Sequence, residues 1–252
     1  MGKIIAVANQ KGGVGKTTTC VNLTAALAAM GKKVLLADFD PQGNSTSGMG
    51  ISKQSRPNAH DVLVYGESAA DAIIRMPYGW VLPSNSDLSG AEVELANVPN
   101  REYRLRQVLE EIRDDFDFIF IDCPPSLGLL TLNAFTAADS ILVPLQCEYY
   151  AMEGIADLTT SIKMANKRLN KGLYIEGILL TMYDARLNFS EQVATELRRF
   201  FGDKVYESVI PRNVRLAEAP SHGLPISEYD KSSKGSRAYL RAAEEFLERQ
   251  GL

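Results

Sequence analysis

Residues 9–19 read Asn-Gln-Lys-Gly-Gly-Val-Gly-Lys-Thr-Thr-Thr, and this stretch decides the fold. It follows a short apolar run, Ile4-Ile5-Ala6-Val7-Ala8, and leads into a helical pattern that begins near Lys16. Strand, glycine-rich loop, helix is the geometry of a phosphate site. The glycines let the backbone wind with its N–H groups inward, and the following helix offers the positive end of its dipole to an anion. In that geometry Lys16 reaches the β- and γ-phosphates, and the Thr17 hydroxyl completes a Mg2+ shell. A glycine-rich turn that binds nothing is the competing reading. The spacing, the strand and the helix together argue against it.

Strands and helices alternate outward from this loop. Lys33 to Asp38 reads as a second buried strand, broken by Pro41 and Gly43, so that Asp40 lies at its carboxyl end. Residues 44–60 read as a loop with short turns. Ser68 is placed to cap a helix over Ala69 to Arg75, and Trp80 to Pro83 is a short strand. Arg101 to Phe116 reads as a helix and Asp117 to Asp122 as a strand ending in an acid. Further helices are expected to about Ala138, over Glu153 to Leu169, Ser190 to Phe201 and Ser236 to Arg249. Further strands are expected over Ser140 to Leu145, Ile175 to Met182 and Lys204 to Val209, with Pro211 to Tyr229 irregular. Such alternation predicts a three-layer, doubly wound α/β fold on a mostly parallel sheet. No repeat or linker interrupts it, so residues 1–252 are expected to form a single domain.

Two carboxylates join the loop. Asp122 follows four apolar residues, Phe118 to Ile121, which is a Walker B pattern: an acid held at a strand end to anchor a magnesium-bound water. Asp40 can orient a water in line with a γ-phosphate. A turn-forming Asp before proline is an equal reading for it. Asp38 reads as structural. Lys11 sits inside the loop, where it can fold back on its own nucleotide or reach across to another subunit's; the residues alone leave both open.

The bulk numbers restrict the class. Net charge is −4 over 252 residues, with 45% hydrophobic and 23% charged residues, ordinary for a soluble globular protein. No apolar run approaches the roughly 20 residues of a membrane span. Met1-Gly2-Lys3 leads straight into the first strand, so no signal peptide is expected, and Ala6 spoils an acylation motif at Gly2. The three cysteines, Cys20, Cys123 and Cys147, are odd in number and widely spaced, as expected of reduced cytosolic thiols. Residues 184–252 carry 11 basic and 11 acidic side chains, so the excess acid lies earlier and a basic patch near the carboxyl terminus is permitted.

Lys-Gly-Gly-Val-Gly-Lys-Thr-Thr at 11–18 departs from the standard Walker A, which has glycine where Gln10 stands. It resembles the deviant Walker A of the ParA, MinD and nitrogenase-iron-protein group of P-loop ATPases. Further stretches make the resemblance specific to the chromosomal ParA, or Soj, subfamily: 38–44 (Asp-Phe-Asp-Pro-Gln-Gly-Asn), 121–126 (Ile-Asp-Cys-Pro-Pro-Ser), 146–151 (Gln-Cys-Glu-Tyr-Tyr-Ala), 181–186, 209–215 and 218–223. The resemblance covers nearly the whole chain. It implies an ATPase that binds ATP and Mg2+ and forms a nucleotide-sandwich homodimer. It further implies binding to double-stranded DNA without sequence preference, and stimulation by a ParB-type centromere-binding protein. The implied location is the cytoplasm, on the nucleoid, with no membrane association.

Residue by residue, the resemblance puts Lys11, Gly12, Gly13, Val14, Gly15, Lys16, Thr17 and Thr18 on the nucleotide. Lys11 would reach the partner's phosphates, and Gly12 would sit where the two loops cross. Lys11, Lys16 and Asp40 are the implied catalytic residues. Thr17 would ligate magnesium directly, with Asp40 and Asp122 acting through water. Pro211 and Asn213 match the adenine contacts, and Arg186 and Arg215 the DNA-binding arginines. His222 is read as a structurally packed loop histidine.

The rivals each lack a part. A MinD-like membrane ATPase needs a basic amphipathic carboxyl-terminal helix, whereas the segment after Ser236 carries Glu244, Glu245 and Glu248. An iron–sulfur reductase needs two cysteines facing a dimer axis, which Cys123 and Cys147 do not supply. A small-molecule synthetase needs a substrate pocket that no motif announces.

Overall fold

The computed structural model describes residues 1–148 and 150–252; Tyr149, within the motif at 146–151, lies outside the described residues. The strands are β1 (Lys3–Val7), β2 (Val34–Asp38), β3 (Ile74–Met76), β4 (Gly79–Leu82), β5 (Phe118–Asp122), β6 (Ser140–Gln146), β7 (Tyr174–Tyr183) and β8 (Val205–Pro211). The long helices are α1 (Lys16–Ala29), α5 (Arg104–Ile112), α6 (Leu129–Ala137), α7 (Ala151–Arg168), α8 (Asn188–Phe201) and α11 (Lys234–Arg249). Short helices are α2 (Asn44–Gly48), α3 (Ala69–Ala72), α4 (Ala91–Glu94), α9 (Val214–Glu218) and α10 (Ile226–Tyr229). The sheet runs β3-β4-β2-β5-β1-β6-β7-β8, parallel throughout except for β3 against β4.

Apart from their end residues, the central strands are apolar because both faces are covered. Ile4, Ala6, Leu35, Ala37, Ile119, Ile121, Ile141 and Val143 face one layer, built from α3 to α8. Their neighbours Ile5, Val7, Val34, Leu36, Phe118, Phe120 and Leu142 face the other, built from α1, α9, α10 and α11. This is the three-layer arrangement the alternation of elements predicts. α1 lies between the sheet and α11, so it is buried on almost all sides. Gly31, at φ +82°, turns the chain out of α1 in the left-handed conformation that suits glycine.

Register then fixes where the chemistry sits. Val7, Asp122 and Asp38 are partners across β1, β5 and β2, so three strands end in line. The loop after each emerges on the same edge, where ligands of open α/β sheets bind.

Both outer edges are closed. At one side β3 is three residues long and carries Arg75, whose guanidinium lies 5.5 Å from the centre of the Trp80 ring. At the other, the Glu245 carboxylate on α11 accepts hydrogen bonds from the Glu207 and Ser208 amides of β8, at 2.9 and 2.8 Å.

Several local expectations need correction. Ser68 caps α3 as expected, accepting from the Asp71 amide at 3.3 Å, but the helix stops at Ala72. Ile74–Met76 pairs with β4 instead, because that strand presents an open ladder and the isolated helix is too short to hold its own. The expected helix over Arg101 to Phe116 is α5 flanked by two 3₁₀ turns. The stretch from Pro211 to Tyr229 contains α9, a 3₁₀ turn and α10, each too short to register as a period.

Gly177 in β7 lies where an added Cβ would come within 2.3 Å of the Tyr206 ring and 3.1 Å of the Lys204 carbonyl. Tyr206 is fully buried and cannot swing away. Gly177→Ala should therefore destabilise the fold by about 1–3 kcal/mol, the usual cost of overpacking. Urea unfolding checks this, and an unchanged midpoint would remove the close β7–β8 contact from the account.

Candidate functional site

The loop between β1 and α1 is gripped from both sides. The Asn9 amide group donates to the Pro144 carbonyl at 2.9 Å, while its Oδ1 accepts from the Lys11 amide at 3.0 Å. From the other side, the Thr181 hydroxyl donates to the Val14 carbonyl at 2.7 Å. Thr181 precedes Met182, a non-glycine residue at φ +48°, a conformation that costs on the order of 1–3 kcal/mol and tends to mark functional sites. Gly13 and Gly15 have φ of +73° and +92°, which explains a glycine at each.

The loop is prepared for an anion. α1 begins at Lys16 with no side-chain cap and no acid in its first turn. Its positive end is therefore left to a ligand. Lys16 rests its ammonium 3.1 Å from the Lys11 carbonyl. Burial pulls the Lys16 pKa below its ordinary value, against the nearby Asp122, Cys123 and Asp40.

A cation is implied next to it. Asp122 is fully buried at the end of β5. Its Oδ2 accepts from the Thr17 hydroxyl at 2.7 Å and from the Ser45 hydroxyl at 2.6 Å. Its Oδ1 is buried with no hydrogen-bond partner among the described residues. A buried carboxylate oxygen left open in this way fits a group that brings its own donors, such as the water shell of a divalent cation.

Asp40 and Asp38 divide the two roles read for the acids after β2. Asp38 is structural: its Oδ2 takes the Thr46 amide at 2.7 Å and the Thr46 hydroxyl at 2.6 Å. Asp40 accepts the Gln42 amide at 2.9 Å, so the turn-forming role is real. Its backbone carbonyl is held by the Ser84 hydroxyl at 3.1 Å. Burial pushes both Asp38 and Asp122 above the usual carboxylate range. The Asp122 charge adds to the rise at Asp38, while the Ser45 and Thr17 hydroxyls pull Asp122 the other way.

Lys11 is half-exposed and its ammonium pairs with Glu148 of the same chain. Gly12 is exposed, and an added Cβ would meet nothing within 4 Å. Pro211 and Asn213 stand at the end of β8, on the same edge but three strands from β1. Asn213 also caps α9, accepting the Leu216 amide at 3.4 Å. Arg186 and Arg215 follow the ends of the neighbouring β7 and β8, which meet at Tyr183 and Pro211. Arg186 is fork-bonded to Asp184 at 2.9 and 2.6 Å, and Arg215 pairs with Glu218 and Asp230. His222, read as a packed loop histidine, is exposed and stacks on Tyr229 with ring centres 4.8 Å apart. Cys20, Cys123 and Cys147 are free and buried.

Four site residues escaped the sequence reading: Asn9, Ser45, Glu148 and Thr181. Their partners other than Lys11 lie 77 to 167 residues away, and no local pattern signals such bonds. Glu148 and Thr181 stand inside motifs of the resemblance, which is the one hint the sequence carried.

Comparison with known proteins agrees with this geometry. A family model described as an AAA domain matches residues 2–175. The chain is 54% identical over 248 residues to the sporulation initiation inhibitor protein Soj of Bacillus subtilis strain 168, covering 97% of this chain and 98% of that protein. It is 51% identical over 253 residues to the chromosome partitioning protein ParA of Caulobacter vibrioides, covering 98% and 95%. Among solved structures it is similar to a Mycobacterium smegmatis protein described as cobyrinic acid a,c-diamide synthase with bound ADP and magnesium. That likeness has a TM-score of 0.87 and 38% identity, over 100% of this chain and 96% of the other.

Asp122→Asn removes a charge that burial penalises. Burial pushes the folded carboxyl up from an ordinary 3.8 to about 6. Folding is therefore favoured below the lower value and loses that advantage as pH rises through the upper one. The ligand-free Asp122→Asn protein should melt higher than wild type at pH 8, by roughly 2–4 °C for each kcal/mol recovered, with the gap closing toward pH 4. A gap that does not change with pH would contradict the burial of an ionised acid.

Proposed function

Because the chain belongs to the family of Soj and ParA chromosome-partitioning ATPases, we propose that residues 1–252 form one P-loop ATPase domain whose Mg-ATP-bound copies pair across their nucleotides and then hold DNA without sequence preference. The observation that carries the reading is Asp122, a buried acid with one oxygen unpartnered among the described residues, beside an uncapped helix and Lys16. That combination asks for a polyanion and a divalent cation together.

The chain's own groups supply the rest. The amides of Gly13 to Thr18 cradle phosphate oxygens, and Lys16 exchanges the Lys11 carbonyl for the β- and γ-phosphates. Magnesium, when bound, neutralises charge developing on the transferred phosphoryl group. Thr17 would offer a lone pair of its hydroxyl oxygen to the cation while its O–H goes on donating to Asp122; one hydroxyl has a donor and two lone pairs for this. Asp122, through its open Oδ1, and Asp40 would serve the cation through water. Asp40 also orients the attacking water, for which its loop is held by Ser84 and Thr46. Pro211 and Asn213 flank the adenine.

Pairing is supported by Gly12. Among the described residues nothing requires glycine there, neither a positive φ nor a close neighbour. A requirement imposed by a second copy's loop accounts for it. Lys11 then leaves Glu148 and reaches the partner's phosphates, where a cation supplied in trans stabilises transition-state charge. Arg186 and Arg215 leave weak surface pairs for DNA phosphates; exposed pairs are worth about 0–1 kcal/mol, so the exchange is cheap. Two copies bring four such arginines together, which makes DNA binding dependent on ATP and steeply dependent on salt. A ParB-type centromere-binding protein then speeds hydrolysis and release, in the cytoplasm on the nucleoid. The MinD-like alternative loses its membrane element, since the apolar face of α11 is already buried through Tyr239, Ala242, Ala243 and Phe246.

With ATP, wild type should sediment as a dimer and retain plasmid DNA, but do neither with ADP or no nucleotide. Gly12→Val should bind ATP yet stay monomeric and lose the DNA. ATP-dependent dimers of that variant, read by light scattering, would refute the crossing-point role. Asp40→Ala should keep ATP and the dimer while turnover falls about 100-fold or more. Undiminished phosphate release would take Asp40 out of the mechanism.

A further inference from the structure

Ser45 lies in α2, five residues after the acid proposed to orient water, and is fully buried. Its hydroxyl donates at 2.6 Å to the Oδ2 of Asp122, the oxygen that also takes the Thr17 hydroxyl at 2.7 Å. Two donors on one oxygen stop the carboxylate from turning about its Cβ–Cγ bond. They leave Oδ1 as the open acceptor, buried and unpartnered among the described residues. Without Ser45, one donor would remain, and Asp122 could rotate to share its oxygens between Thr17 and a cation's water.

The placement of Ser45 is itself rigid. Its neighbour Thr46 gives both its amide and its hydroxyl to Asp38, and the Thr46 oxygen accepts the Ser84 amide at 2.8 Å. The Met49 amide closes the short helix onto the Ser45 carbonyl at 3.0 Å. The hydroxyl is thus aimed by packed backbone rather than by a mobile loop.

We propose that Ser45 is a positioning residue of the magnesium site: its hydroxyl orients Asp122 so that one carboxylate oxygen is kept for the cation's water shell. The proposal rests on the Mg-ATP reading above. Thr17 is expected to serve the cation directly, whereas Ser45 acts only through Asp122. Loss of such an outer partner typically costs 10–100-fold in metal affinity.

The test follows binding of a fluorescent methylanthraniloyl-ADP to full-length protein while Mg2+ is titrated, with a parallel set in EDTA. Ser45→Ala should raise the half-saturating Mg2+ about tenfold and leave nucleotide affinity in EDTA unchanged. Ser45→Thr, which keeps the hydroxyl, should return the Mg2+ requirement to within about twofold of wild type, and Ser45→Cys, a weak donor of similar size, should resemble Ser45→Ala. Thermal melts in EDTA establish that each variant is folded. An unchanged Mg2+ requirement in Ser45→Ala would overturn the proposal. So would an equal loss of affinity with and without Mg2+, which is the mark of a merely structural serine. If wild type itself shows no Mg2+-dependent nucleotide binding, the functional reading fails instead, and the two failures are distinguishable.

Discussion

A carboxylate buried at the end of a central strand governs this structure. Asp122 has no exposed surface and no ion-pair partner among the described residues. Isolated charge in such a place is costly, and two neutral hydroxyls relieve only part of the cost. The sheet order explains why the acid is there. β5 lies between β1 and β2, so its last residue stands beside the phosphate loop on one side and the Asp40 loop on the other. A cation with a polyanion would discharge the strain at all three strand ends together. Binding energy and local stability are opposed here, as they often are where function needs charge out of water.

The sequence was legible where one residue type has one physical reason. Gly13 and Gly15 carry positive φ, Asp122 ends an unbroken apolar run, and the doubly buried strands show as continuous hydrophobic stretches. Those features gave the layers, the edge and the core of the site. What stayed hidden depends on pairing across the fold. Nothing near Ser45 says that its hydroxyl meets Asp122, and nothing near Ile74 says that an open strand edge will claim it from a helix. Asp40 was undecided on residues alone, and the structure shows its turn: its carboxylate accepts the Gln42 amide at 2.9 Å.

The arginines show a different limit. Sequence can count 11 cations against 11 anions near the carboxyl terminus, yet cannot pair them. In the structure Arg186 and Arg215 are each answered by an acid of their own loop or helix. Arg186 in turn holds the Asp184 carboxyl well below the usual range, at about 2, through its hydrogen bonds. Within one copy, these two cations are thus already paired.

The two closed edges of the sheet carry a last implication. A parallel sheet left open invites its own kind to add strands without limit. Here a three-residue antiparallel ribbon ends one side, and the glutamate of the last helix occupies the amides of the other. The sheet therefore offers another strand little unpaired edge to extend.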